Sequence, residues 1–188
     1  MEKRAIFRAS LKLIREGKFH ATSMAEIGYH ANVSGSTVEV FFESREKLLA
    51  ELAEYIFDNI SSIVLASDKL KDLPKRRFFH LWKQLFDFYA SQPDVIFFID
   101  QFGNNPTVVT DAQESYKKCN QALIKFFAED HSCFGDNEFQ LDSEAFAFLF
   151  HENVKSAVRL EKALGKIDEH AIAMWLWKGI DERDVMAA

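Results

Sequence analysis

The stretch that decides the fold is Thr22-Ser23-Met24-Ala25-Glu26-Ile27-Gly28-Tyr29-His30-Ala31-Asn32-Val33-Ser34-Gly35-Ser36-Thr37-Val38-Glu39-Val40-Phe41-Phe42. Ser23 and Glu26 stand three apart at the head of an apolar pattern. That is a capping box, in which each side chain satisfies a backbone N–H that the first helical turn leaves free. Met24, Ile27, Ala31 and Val33 then face inward. Asn32 sits where the chain must turn, and asparagine enters the left-handed region more readily than most residues. Val33 to Val38 turns into a second short helix, which Val38 and Phe42 anchor to the same small core. This is a helix-turn-helix, a shape that can set its second helix in a DNA major groove. The same shape also occurs as an ordinary piece of a larger bundle, so spacing alone leaves both roles open.

Upstream, Lys3 to Ile14 is amphipathic. Ile6, Ala9, Leu13 and Ile14 face the core, leaving Lys3, Arg4, Arg8 and Lys12 to solvent or phosphate. Gly17-Lys18-Phe19 is a stop and turn. Downstream, Arg45 opens a long helix reaching about Ala66, with Leu48, Leu49, Leu52, Ile56, Ile60 and Ile63 on one stripe. The candidate DNA-contacting set is Lys3, Arg4, Thr22, Ser23, Ser34, Gly35, Ser36, Thr37, Glu39, Val40, Phe41 and Arg45. Short polar residues at a helix start allow close approach to base edges, and such a start also offers N–H groups to anions.

Residues 1–48 hold eight basic and six acidic side chains; the rest of the chain holds 15 basic and 23 acidic ones. A mildly basic head on an acidic body fits a nucleic-acid reader joined to something else. The N-terminus is charged and its first apolar stretch is broken by Arg8, Lys12 and Arg15, so no signal peptide is expected. No run is apolar enough to span a membrane. The two cysteines form no disulfide framework or Cys-x-x-Cys pair, and a reduced cytoplasmic setting is expected. His80, His131, His151 and His170 lack metal-ligand spacing. No phosphate loop or nucleophile elbow occurs, and neither catalysis, a metal nor a cofactor is expected.

Residues 3–49 resemble the N-terminal domain of the TetR family of bacterial repressors. The matches are Gly17 and Phe19, Thr22-Ser23-Met24, Ile27, Ala31, Val33-Ser34, Thr37, Phe42, Ser44, Glu46 and Leu48. The resemblance implies DNA binding as a homodimer, and release when a ligand occupies a helical body. Departures are Asn32 and Ser36 where the family has glycine, Arg45 for the customary lysine, and Glu39-Val40-Phe41 where a tyrosine-bearing stretch is usual. Arg45 keeps a cation at the start of the fourth helix and can still hold phosphate. Glu39 has two readings: a surface charge on a weakened DNA reader, or an acceptor for the cytosine N4 amino group.

Beyond residue 48 the apolar residues recur at helical steps. Pro74 starts a helix carrying Phe78, Leu81, Trp82, Leu85, Phe86 and Tyr89, broken at Ser91-Gln92-Pro93. Gly103 to Pro106 punctuates the chain before a helix from about Thr107 to Ala128. Residues 129–140 read as a loop, Asp142-Ser143-Glu144 and Asp168 as helix caps, and Gly165 as a helix stop. Fifteen of the 19 phenylalanines follow Leu49. Such clusters make a core, or line a pocket for an apolar or aromatic small molecule. The candidate ligand set is Phe86, Tyr89, Phe98, Phe102, Tyr116, Asn120, Phe146, Phe150 and His151. The candidate dimer set, on the last two helices, is Val154, Ala157, Val158, Leu164, Ile172 and Trp175.

An all-α chain of about nine helices is expected: a three-helix helix-turn-helix domain over residues 1–48 and a larger ligand-binding and dimerisation domain over 49–188. Its expected partners are double-stranded DNA, a second copy of itself and a small apolar or aromatic ligand. A ligand-binding or protein-interaction module with a weakened head is the alternative.

Overall fold

A computed structural model of the chain describes residues 2–69, 73–102, 111–128 and 143–180. Among these there are nine α-helices, one 3-10 turn and no strand. They are α1 (Glu2–Arg15), α2 (Met24–His30), α3 (Gly35–Phe41), α4 (Arg45–Asp68), α5 (Pro74–Ser91), α6 (Pro93–Phe102), α7 (Gln113–Ala128), α8 (Ser143–Leu164) and α9 (Glu169–Ile180), with the 3-10 turn at Phe19–Ala21. The break at 103–106, the loop at 129–140, the Asp142 cap, Cys133 and the Phe102 side chain lie outside the described residues. None of the described helices is long and apolar enough to cross a membrane.

Two compact units divide the chain. One comprises Met1–Phe57 with Gln92–Tyr116, the other Asp58–Ser91 with Lys117–Ala188. In the first, α1 buries Ile6, Ala9, Leu13 and Ile14, and also Phe7, Ser10 and Leu11. The wider burial has a cause in packing. Phe7 lies 5.7 Å from the Phe42 ring and 5.2 Å from that of Tyr55. On another side α6 packs along α1, where Arg15 and Asp94 form an ion pair at 2.9 Å.

Helices α2 and α3 cross at backbone distance. A methyl group on Gly35 would stand 2.9 Å from the Ala25 α-carbon; one on Gly28 would stand 3.0 Å from the carbonyl oxygens of Val33 and Ser34. Asn32 makes the turn between them at φ 55°. Each helix starts on a serine: Ser23 accepts from the Glu26 N–H and Ser34 from the Thr37 N–H.

In the second unit α5 packs against α8 and α9. Phe78 lies 5.2 Å from both Phe150 and Trp177, and Phe150 lies 5.8 Å from Trp82 and 5.0 Å from Phe127. All five are buried. The Trp82 Nε1–H donates to Glu169 at 3.2 Å, which ties α5 to the start of α9. Arg77, almost wholly buried, pairs with Asp68 at 2.6 Å and lies 4.9 Å over the Phe126 ring. Burial pushes the Cys119 thiol up to about 12, which leaves it a packing group and no nucleophile.

The positive φ at Asn32 gives a direct stability test. Asn32→Gly should leave stability near the parent value. Asn32→Val should cost ~1–3 kcal/mol, because a β-branched residue is strained there. Urea unfolding followed by helical circular dichroism reads the difference.

Candidate nucleic-acid interface

The outward face of α3 is formed by Ser36, Glu39 and Val40, all exposed, with Glu39 and Val40 each one helical turn after Ser36. Val40 is 84% exposed. Phe41 stands at the edge, with its ring 6.2 Å from that of buried Phe42. Glu39 is the single charged residue in α3. Thr37 is half-buried, and the Ser34 hydroxyl lies 2.8 Å from that of Ser36 and 2.7 Å from that of Thr37. Gly35 is half-buried against Ala25, so its contribution is to let the helices meet.

The cations of the candidate set divide. Arg4 is exposed. Lys3 is held: its ammonium meets Glu51 at 2.5 Å and sits 5.8 Å and 5.5 Å from the Phe7 and Phe42 rings, clamping α1 to α4. Arg45 reaches back from the start of α4 and donates through Nη1 to the carbonyls of His20, at 2.6 Å, and Thr22, at 3.1 Å. Thr22 is buried and its hydroxyl donates to the Lys18 carbonyl at 2.8 Å. Ser23 is exposed but serves as the cap of α2. Two surface groups near the tip escaped the sequence set. Tyr29, near the end of α2, is 80% exposed, and Lys47 is exposed in the first turn of α4. Their signal was available as positions outside the inward stripe of each helix.

The capping box has an electrostatic signature. The Ser23 N–H donates to Glu26 at 2.7 Å and the Ser23 hydroxyl at 2.9 Å. The Ser23 backbone bond, then its hydroxyl, holds the Glu26 carboxyl below the ordinary glutamate value.

The candidate ligand residues fall in both units. In the second, Phe86, Tyr89, Phe146 and Phe150 are buried while Asn120 and His151 are half-buried. The Tyr89 hydroxyl is hydrogen-bonded to His151 Nε2, and Phe127 joins Phe146 to Phe150 at 4.8 Å and 5.0 Å. In the first, Phe98 is buried and Tyr116 lies 5.2 Å from Phe57. Phe78, Trp82, Phe127 and Trp177 stood outside the candidate ligand set, because helical spacing did not say which cluster they join.

Of the candidate dimer residues, Val154, Ala157 and Val158 are buried in the chain's own core and Ile172 is half-buried. Leu164 and Trp175 are exposed, at 74% and 73%. Leu149 and Leu160 are exposed on α8 as well. With Ser156 and Ala163 they make one stripe of leucines and small residues, on a face turned away from the buried one.

Residues 6–52 match the family described as bacterial regulatory proteins, tetR family. A protein of Haemophilus influenzae named as an uncharacterized HTH-type transcriptional regulator is 24% identical over 166 residues, covering 87% of this chain and 83% of its own length. Two solved structures share the fold. The FadR regulator of Bacillus subtilis, in complex with stearoyl-CoA, is 17% identical with a TM-score of 0.71; the match covers 94% of this chain and 96% of that one. AibR, in complex with isovaleryl coenzyme A and operator DNA, is 18% identical with a TM-score of 0.72; the match covers 96% and 98%.

A carboxyl held low contributes stability above its unfolded value and loses it as pH falls through the folded one. The Ser23 amide proton should therefore titrate with a midpoint below 4.5, the ordinary glutamate value. An NMR titration in which that midpoint sits at or above 4.5 would remove the capping-box assignment.

Proposed function

We propose that this chain, a TetR-family protein by its N-terminal domain, is a ligand-responsive transcriptional regulator that binds DNA as a homodimer and acts as a repressor. The observation that carries the reading is the α3 face of Ser36, Glu39 and Val40. It stands outward on a helix whose other side is fixed against α2 at backbone distance. Residues 1–48 serve as the reading head and residues 49–188 as the body that senses the effector and dimerises. α4 is one unbroken helix with residues in both compact units, so it is the element through which occupancy of the body acts on the head.

Dimerisation uses the exposed stripe of α8 with Leu164 and Trp175. That much apolar surface suits a two-fold contact in which the same residues meet from both copies. Two heads about one helical turn apart (roughly 34–36 Å) would read a near-palindrome. The effector is apolar. The aromatic clusters around Phe86, Tyr89, Phe146 and Phe150 favour it, with Tyr89, Asn120 and His151 as polar anchors. The acyl coenzyme A thioesters named with AibR and with the Bacillus subtilis FadR make that class the first to test. The effector releases DNA by binding more tightly to a body conformation in which α4 holds the heads at the wrong separation.

A second reading, a sensing module with a weakened head, draws on Lys3 and Arg45 being engaged within the protein. A mobility shift on the DNA flanking the protein's own gene separates the two. A retarded band at low salt, lost steeply as salt rises, is the outcome expected of a DNA reader. Leu160→Asp, at an exposed position, should yield a folded monomer in sedimentation and weaken that band at least about tenfold, since one head makes half the contacts. No retardation of any fragment at low salt would favour the second reading. Full retardation by a monomeric variant would overturn the dimer.

A further inference from the structure

Resting on that reading of the head, we propose that α3 reads pyrimidines: Glu39 accepts from the N4 amino group of a cytosine, and Val40 packs on the methyl group of a neighbouring thymine. The two residues are adjacent in sequence and both are exposed, on the face that α3 turns outward. The chemistry of the major groove narrows what each can meet. A carboxylate only accepts hydrogen bonds. Guanine presents N7 and O6 and thymine presents O4, all acceptors that repel it. Adenine offers an N6 amino group, but N7 lies beside it and repels the second carboxylate oxygen. Cytosine N4 offers a donor with only a C–H beside it, which leaves cytosine as the base that Glu39 suits.

Val40 has no polar atom, so its one gain in the groove is burial, and the thymine C5-methyl is the apolar group there. The rest of α3 agrees. Its sequence, GSTVEVF, holds no arginine, lysine, asparagine or glutamine, the residues that make two-bond contacts with guanine and adenine. Ser36, one turn before Val40, can donate or accept and discriminates little. The specific content of the helix therefore lies in one acceptor and one apolar cap.

Binding-site selection from a randomised duplex pool, with the full chain and two variants, tests this. The parent protein should enrich half-sites that hold a cytosine beside a thymine. Glu39→Gln should move the cytosine position to adenine, since glutamine pairs with adenine N6 and N7, with a change in preference of roughly tenfold. Replacing the thymine by uracil, which removes only the methyl, should weaken the parent severalfold and leave Val40→Ala nearly unaffected. Both residues are exposed, so neither substitution should disturb folding, and helical circular dichroism checks that. Variants that enrich the same site as the parent would overturn the pyrimidine assignment while leaving DNA binding intact. A parent that enriches no sequence and binds no duplex at low salt would overturn the assignment and the DNA-reading function together.

Discussion

The whole head depends on α2 and α3 touching through their backbones. Gly28 and Gly35 remove the side chains that would hold the two helices apart, and Ala25 is small enough to fill the space left. The Asn32 turn brings the second helix back at that spacing, and the serine caps fix where each helix starts. Because the contact is made with so little side chain, its geometry has little slack. A rigid mount of this kind is what a reading helix needs, since base recognition tolerates small errors poorly. Val38 and Phe42 complete it: both are buried, and the Phe42 ring meets Phe7 of α1.

The charges of the head serve this scaffold before they serve any partner. Lys3 joins α1 to α4 through Glu51 and two aromatic rings, and Arg45 ties the start of α4 to the loop carbonyls at His20 and Thr22. The basic excess read from composition is thus partly internal. Arg4 and Lys47 are exposed, and in the proposed reading they are the cations offered to phosphate. A head with few phosphate contacts gains less non-specific affinity from charge and must draw more of its selectivity from base edges. The proposed reading therefore assigns Glu39 and Val40 a larger share of recognition than short side chains usually carry.

Local signals were legible in the sequence, and long-range ones were not. The capping box at Ser23 and Glu26, the left-handed turn at Asn32 and the inward positions Ile27, Ala31, Val38 and Phe42 follow from residue type and spacing, and the structure has each of them. Burial of Phe7, Ser10 and Leu11 did not follow, because α1 packs on distant parts of the chain: Phe7 meets Phe42 and Tyr55, and α6 lies along another side. Lys3 and Arg45 looked like phosphate ligands for the same reason: their partners are 48 and 25 residues distant. Gly35 looked like a surface residue, while its neighbour Ala25 makes it a packing one. On α8, apolar residues occupy more than one face. Spacing alone could not say that Val154, Ala157 and Val158 take the core while Leu160 and Leu164 take the surface.

The central claim is that the Ser36, Glu39 and Val40 face enters a major groove. Dimethyl sulfate protection measures this most directly, because it modifies guanine N7 in the major groove and adenine N3 in the minor groove of the same duplex. On a fragment that the full chain retards, protection should fall on guanine N7 in two patches about ten base pairs apart, or a multiple of that spacing. Adenine N3 within those patches should stay reactive. A bound fragment protected only at adenine N3, or protected nowhere, would contradict the account.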